Sequence, residues 1–348
     1  MSKELSKTLW RTLLPLLLGA AVAAWLVWRD VDADTLRGIV FDRRTAAGLL
    51  LAALSVFGRD FGLSWRFHTI AGGDLSWKRA FRTDIMCAFT SAITPSVVGG
   101  SALAIFYLNR EGIKVGRATS LTLTTLFLDE LFFVVFCPLI TLFIPWDDLF
   151  GMPASDDSGE QIFFGSIKIV FWLVYTGICI WTAILYMAII GKPDATKRLL
   201  YSIARLRVLK RFRGNLESVA ENMSETSAWV KGRGMRWWLK VFISTTLSWF
   251  SRHFVVNSLF WAFVPSCSGV LVFARQFVVW VVLMVSPTPG GSGISEWLFA
   301  NYYGDIIGDI GIAAVLALVW RCFSYYIYLV AGCLLLPSYF GQSKTSRK

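Results

Sequence analysis

The sequence is poor in charged residues, which make up only 16% of its 348 positions. Soluble domains carry about 25%, and here hydrophobic residues reach 55%. The apolar residues gather in long runs typical of membrane-spanning helices: 12–28, 46–64, 85–108, 118–145, 162–190, 237–263, 270–300 and 310–336. Nothing between these runs is long enough for a separate soluble domain, so the composition predicts an all-α polytopic membrane protein.

Histidine and closely spaced cysteine are also scarce. The only histidines are His68 and His253, and the six cysteines form no close pair. The sequence therefore offers neither a histidine-rich metal centre nor a disulfide framework. It also lacks a phosphate-cradling glycine loop and a recognisable nucleophile motif. We expect no metal, no cofactor and no dedicated catalytic residue.

Basic residues outnumber acidic ones by 34 to 23, a net charge of +11. They lie in loops, where anionic lipid headgroups explain them and no nucleic-acid partner is required. The loop 191–236 carries eleven Lys and Arg residues, whereas the connection 146–161 carries none. Since basic loops stay in the cytoplasm, we predict that 191–236 and both termini are cytoplasmic and that 146–161 is external.

Eight simple crossings would place the basic loop outside, against this rule. The distribution of Lys and Arg agrees with the rule that basic loops are cytoplasmic when the segments at about 80–108 and about 270–300 each enter and leave the membrane on one face. The predicted fold therefore has about six spanning helices and two re-entrant broken hairpins. One hairpin lies in each half of the chain, 1–145 and 162–345.

Each predicted hairpin contains a break rich in glycine and proline. The first break includes Pro95, Gly99, Gly100 and Ser101, and the second includes Pro289, Gly290, Gly291, Ser292 and Gly293. Irregular backbone is tolerated at membrane depth only inside protein or beside a watery cavity. Paired breaks in two halves of a chain indicate a transporter's binding site, so we assign these residues to substrate binding.

Four features recur in the same order in the two halves. Gly58-Arg59-Asp60-Phe61 resembles Ser251-Arg252-His253-Phe254, and 40 and 38 residues separate each arginine from the next Gly-Gly pair. Glu130 follows Ser101 by 29 positions, and Arg321 follows Ser292 by the same number. The predicted topology makes this an inverted repeat, which supports alternating access in several transporters.

Ionisable residues inside apolar runs cost free energy when they enter the membrane, so they indicate a functional site by default. We predict that Arg59, Arg252 and Arg321 receive an anionic group, and that Asp60, Asp129, Glu130 and His253 pair with them or carry protons. Glu296 either caps the helix that follows the second break or titrates, and Arg275 is a further intramembrane charge. The structural alternative is that Asp129 or Glu130 pairs with Arg321, and Asp60 with Arg252 or Arg59.

The run Thr288-Pro289-Gly290-Gly291-Ser292-Gly293, followed by Glu296, resembles the flippase-like membrane family named for the transmembrane region of lysylphosphatidylglycerol synthase. Thr94-Pro95, Gly99-Gly100 and Trp320-Arg321 also match its pattern. The resemblance implies an inner-membrane protein that moves lipids or lipid-linked precursors between leaflets. This chain departs from the family in having Ala104-Ile105-Phe106 where an arginine often follows the first Gly-Gly. It also lacks the aminoacyl-transferase domain, so we expect a translocator without lipid aminoacylation.

The expected function is therefore movement of an anionic or polyprenyl-linked lipid between inner-membrane leaflets, with membrane lipids as the partners. Two alternatives remain: an integral-membrane transferase or hydrolase acting on a lipid headgroup, and a non-transporting partner of a membrane enzyme.

Overall fold

The structure, a computed structural model, describes residues 41–94, 98–151, 158–192, 194–195, 198, 201–202, 226–264 and 266–341. Regular structure in these ranges is helical and includes no strand, which confirms the all-α class. The first predicted run, 12–28, most of the basic loop 191–236 and Pro95 lie outside the described residues.

Twelve α-helices are bounded within the described ranges. They are α1 Arg43–Ala71, α2 Trp77–Ile93, α3 Val98–Arg110, α4 Val115–Phe143, α5 Trp146–Phe150, α6 Ser158–Tyr186, α7 Met235–Phe263, α8 Gly269–Leu283, α9 Ile294–Tyr302, α10 Gly304–Ile307, α11 Ile310–Arg321 and α12 Ile327–Gly341. A π-helical segment, Met187–Gly191, continues α6, and a second, Cys322–Tyr326, joins α11 to α12.

Four segments of the described chain are long and apolar enough to cross a membrane: Arg43–Ala71, Val115–Phe143, Ile162–Gly191 and Gly311–Pro337. They make this a multi-pass membrane protein. Helix α7 has the same 29-residue length as α1 but falls outside that set. The count of six spans and the inverted repeat stay predictions.

The ends of α1 follow from its capping residues. Asp42 accepts a 2.8 Å hydrogen bond from the Thr45 backbone N–H, as N-cap residues do. This hydrogen bond holds the pKa of the exposed Asp42 carboxyl below its usual value. Gly72 ends the helix in the left-handed conformation at φ 65°, which glycine adopts without a Cβ penalty.

Helices α1 and α7 pack antiparallel at very short range, because glycines on α1 meet small residues on α7. A Cβ added at Gly58 would lie 2.7 Å from Ser251 Oγ, and one added at Gly62 would lie 2.8 Å from Ser244 O. Small residues allow membrane helices to approach in this way. Gly58 and Ser251 open the two motifs that the sequence pairs, so these motifs lie side by side.

Both predicted hairpins contain a pair of short helices. Helix α2 ends at Ile93, and its C-cap residue Thr94 has an extended backbone before Pro95. Helix α3 packs beside α2. In the second half, α8 ends at Leu283 and α9 begins at Ile294. The second break therefore lies where the sequence places it. In the first hairpin, Gly99, Gly100 and Ser101 belong to α3, which begins at Val98, so this part of the predicted break is helical. The re-entrant course of both segments stays a prediction.

Candidate functional site

A cavity of about 260 Å³ lies between the two halves of the chain. Helices α1, α2, α3, α4, α7, α8, α11 and α12 contribute to its wall, together with the second break and the π-helical segment between α11 and α12. Its lining contains four arginines and three carboxylates: Arg59, Arg66, Arg252, Arg321, Asp84, Asp129 and Glu130. Such a concentration of charge among apolar helices indicates a functional site.

The two breaks touch at one wall of this cavity. The Gly290 N–H donates to Thr94 O at 3.4 Å, which joins the second break to the end of α2. Tyr325 Oη accepts from Ser292 Oγ at 3.0 Å and donates to Ala92 O at 3.3 Å. The tyrosine therefore bridges both breaks, and the pairing that the sequence predicts is a physical contact.

Arg321 and Glu296 form a buried ion pair beside this contact. Arg321 Nε donates to Glu296 Oε1 at 2.9 Å, and Nη2 donates to Gly290 O at 3.1 Å. Glu296 Oε2 accepts from the Gly293 N–H and from Ser295 Oγ, each at 2.8 Å. Of the two interpretations of Glu296, the structure shows capping: its carboxylate occupies the N-terminus of α9.

The structural alternative that pairs Arg321 with Asp129 or Glu130 is not the arrangement in the structure. Asp129 pairs instead with Arg66: the guanidinium contacts both carboxylate oxygens, at 2.6 and 3.0 Å. Trp249 Nε1 also donates to Asp129 Oδ1 at 2.8 Å. Arg66 lies just after the apolar run 46–64, where a basic residue is typical of a membrane-flanking position, so its sequence context does not indicate this pair. Its spacing of seven residues from Arg59, which places both on one helical face, was the available signal.

Asp60 pairs with the adjacent Arg59, one of the two alternatives, and not with Arg252. Tyr328 Oη donates to Asp60 Oδ1 at 2.8 Å, and its ring lies 4.2 Å from the Arg59 guanidinium carbon. All three side chains are buried. They tie α1 to α12, and Arg59 and Tyr328 also line the cavity.

Arg252 is the cavity arginine without a carboxylate partner. Its guanidinium carbon lies 4.7 Å from the ring centroid of Trp249 and 4.7 Å from that of Trp280. Within the described part of the chain, no carboxylate oxygen lies within 4.0 Å of its nitrogens. Two aromatic faces hold the cation by cation–π attraction, and its hydrogen-bond donors remain available at the cavity wall.

Two acidic side chains at the cavity also have unused oxygens. Asp84 Oδ2 and Glu130 Oε2 are buried and find no hydrogen-bond partner among the described residues. A buried polar atom without a partner requires an explanation, and a ligand donor in the cavity would supply one. Asp84 lies near the start of the predicted first hairpin among basic residues, so its sequence context does not mark it as a site residue.

Two of the intramembrane ionisable residues named from the sequence, His253 and Arg275, lie outside the cavity lining. His253 is fully buried with neither ring nitrogen hydrogen-bonded, packs at 4.3 Å against the Phe277 ring and does not line the cavity. Arg275 lies away from the cavity and binds both carboxylate oxygens of Asp305, at 2.5 and 2.6 Å. It also donates to the carbonyl of Asp148 at 2.8 Å, so its role is structural.

Of the glycines, Gly290 and Gly291 line the cavity, with φ of 56° and 71°. Gly293 has φ 84° and presents its N–H to Glu296. Ser292 is buried against Tyr325, and Pro289 is half-buried. For Gly99, Gly100 and Ser101 the structure describes only the helical backbone of α3. Among the described residues, no three His, Cys, Asp or Glu side chains are grouped as a metal site would need.

These features define a multi-pass helical membrane protein with a charged cavity between broken helices. The chain belongs to the lysylphosphatidylglycerol synthase TM region family, whose sequence model matches residues 13–332. It is similar to a UPF0104 membrane protein of Archaeoglobus fulgidus, with 22% identity over 331 residues, 92% of this chain and 94% of the relative. No solved structure matches the chain. Family membership confirms the resemblance read from the two breaks.

Proposed function

We propose that this protein moves an anionic or polyprenyl-linked lipid between the leaflets of the inner membrane, with the headgroup passing through the charged cavity. The observation that carries the proposal is Arg252. A guanidinium that faces a cavity among apolar helices, without a carboxylate partner in the described chain, is suited to a phosphate or another anionic headgroup.

The remaining charges suit transient binding. Arg59, Arg66 and Arg321 are already paired with Asp60, Asp129 and Glu296, respectively. An entering phosphate therefore meets one available cation, Arg252, and three whose charge is largely compensated. Conduction through a membrane requires binding strong enough for entry and weak enough for release, and this distribution of charge fits that requirement.

The inverted repeat and the two re-entrant hairpins are part of the proposal. Two sets of corresponding features are in contact, Gly58 with Ser251 and the end of α2 with Gly290. Corresponding elements meet in this way when they lie close to a two-fold axis. The antiparallel course of α1 and α7 also suits halves of opposite orientation, with both termini in the cytoplasm.

In the proposed cycle, the contact between the breaks closes one side of the cavity. Gly290, Tyr325, Arg321 and Glu296 hold it together through the hydrogen bonds given above. Movement of one half against the other would separate Thr94 from Gly290 and expose the cavity to the opposite leaflet. No nucleotide-binding motif occurs in the sequence, so the proposal assigns the driving force to a gradient or to removal of the delivered lipid.

The experiment is transport in reconstituted vesicles that contain phosphatidylglycerol with a fluorophore on one acyl chain. A membrane-impermeant reductant then measures the fraction in the outer leaflet. We expect Arg252→Ala to lower the rate roughly tenfold or more, because a hydrogen bond to a charged group contributes about 1.5–3 kcal/mol. Arg44→Ala is the matched control, since Arg44 also lies over a tryptophan, Trp261, but outside the cavity.

Arg252→Lys retains the charge and should recover part of the rate. Arg252→Ala should retain normal membrane yield, because no ion pair is broken. Translocation at the wild-type rate in Arg252→Ala would overturn the assignment of the headgroup to this arginine.

The unused oxygens of Asp84 and Glu130 favour a second candidate, a transferase or hydrolase acting on a lipid headgroup, since either carboxylate would serve as a general base. The same vesicles distinguish the two functions. A headgroup enzyme changes the mass of the lipid, whereas a translocator changes only its leaflet.

A further inference from the structure

A second depression, which we call the lateral groove, adjoins the charged cavity. Its volume is about 490 Å³, and its floor is formed by Leu173, Val174, Gly177, Ile178 and Trp181 of α6. Met284, Val285 and Glu130 complete it. Glu130 and Met284 also line the charged cavity, so the groove and the cavity meet at these two side chains.

The lateral groove opens on a surface that faces hydrocarbon. Leu173 is 68% exposed, Trp181 43% and Val285 58%. Large apolar side chains are exposed to this extent because α6 belongs to a segment apolar enough to span the membrane. Apart from Glu130 at its inner edge, the lining of the groove is apolar.

We propose that the lateral groove holds an acyl chain of the lipid whose headgroup lies in the charged cavity. The inference rests on the proposed translocation and deepens it by naming where the apolar part of the substrate lies. A membrane lipid joins a polar headgroup to apolar chains, and each part needs a different environment. The adjoining cavity and groove supply those two environments at one opening in the protein.

The junction between them is adaptable. Met284 has an unbranched, flexible side chain that fills irregular gaps and moves readily, and it follows directly on α8 where the second break begins. On the opposite side, the Glu130 carboxylate has one oxygen without a partner. A headgroup can pass between these side chains while its chain remains in the groove.

The first test is photo-cross-linking to the wild-type protein in vesicles. The probe is phosphatidylglycerol with a diazirine near the end of one acyl chain, and a diacylglycerol with the same chain is the control that lacks the anionic headgroup. We expect phosphatidylglycerol to label the peptide 173–181 more strongly than Leu142 and Phe143, which are 77% and 82% exposed on α4. Diacylglycerol should show no such preference.

The second test fills the groove. An added Cβ at Gly177 meets no atom within 4 Å, so Gly177→Phe places a ring in the groove without an immediate clash. Gly165 is the matched control, because it lies on the same helix, is equally open and does not line the groove. We expect Gly177→Phe to lower phosphatidylglycerol labelling of 173–181 about tenfold, equivalent to about 1.4 kcal/mol of binding, and Gly165→Phe to leave it unchanged.

Equal labelling of the groove and of Leu142–Phe143 would overturn the inference. Equal labelling of the groove by phosphatidylglycerol and diacylglycerol would also overturn it, because labelling that does not depend on the headgroup identifies ordinary boundary lipid. Both results come from the wild-type protein and do not depend on the folding of a variant. Headgroup-dependent labelling of the groove without translocation would leave the lipid site standing and overturn the proposed function. Translocation with uniform labelling would support the proposed function and overturn the assignment of the acyl chain to the groove.

Discussion

Gly290 and Gly291 are adjacent glycines, and we expect their substitution by alanine to lower the free energy of unfolding by very different amounts. Both have a positive φ, 56° and 71°, in the region that L residues rarely adopt. The left-handed conformation costs a residue with a Cβ roughly 1–2 kcal/mol. This backbone term is common to the two substitutions, so it cancels when they are compared.

The two substitutions differ in the atoms that surround the added Cβ. At Gly290 it would lie 2.4 Å from Tyr325 Cε2 and 2.9 Å from the Ala92 carbonyl oxygen, whereas at Gly291 the nearest atom is 3.7 Å away. Tyr325 cannot yield freely, because Ser292 and Ala92 hold its hydroxyl and Arg321 lies 3.9 Å from its ring centroid. Forcing an extra methyl into a packed site costs typically about 1–3 kcal/mol.

We therefore expect Gly291→Ala to lower the free energy of unfolding by about 1–2 kcal/mol and Gly290→Ala to lower it by about 1–3 kcal/mol more. Reversible unfolding in mixed micelles, followed by tryptophan fluorescence, measures the difference. Translocation should fall further in Gly290→Ala, because the methyl pushes the two breaks apart at the Thr94–Gly290 contact. Equal unfolding free energies for the two variants would refute this account of the break.

Two further predictions follow from the same region. Arg321→Ala should lower the free energy of unfolding by roughly 3–5 kcal/mol, because it leaves the fully buried Glu296 carboxylate without its cation. Arg321→Leu combined with Glu296→Leu should recover much of that loss in the same unfolding measurement. Rescue by Glu130→Leu in place of Glu296→Leu would contradict the observed pairing. For the topology, single cysteines at the exposed Lys78 and Lys114, on either side of the first hairpin, should both react with an impermeant thiol reagent from the cytoplasm, and one at the exposed Ser266 only from the other face; labelling of Lys78→Cys and Lys114→Cys from opposite faces would reject the re-entrant hairpin.

Several features of this protein were accessible from the sequence because they depend on local chemistry. Clustered proline and glycine disfavour helix, and the second break, with Pro289, Gly290 and Gly291, lies where this rule predicts it. Gly99 and Gly100 are instead accommodated in α3. Glu296 lies three residues after Gly293, the spacing of a helix cap, and the structure shows that hydrogen bond. The long apolar runs identified the membrane class, and the Gly-Gly motifs identified the family.

The ion pairs were decided only by the tertiary structure. Helical spacing shows which side chains share one face, but not which neighbouring helix that face meets or how far each helix is rotated. Arg66 and Asp129 are 63 residues apart, and their pairing depends on how α1 and α4 are placed. The sequence offered Asp129 and Glu130 as partners of Arg321, and the packing of α9 against α11 brought Glu296 to it instead. Arg252 remains without an ion pair while Asp60 binds Arg59 and Asp129 binds Arg66, and those choices depend on helix placement that the sequence does not reveal.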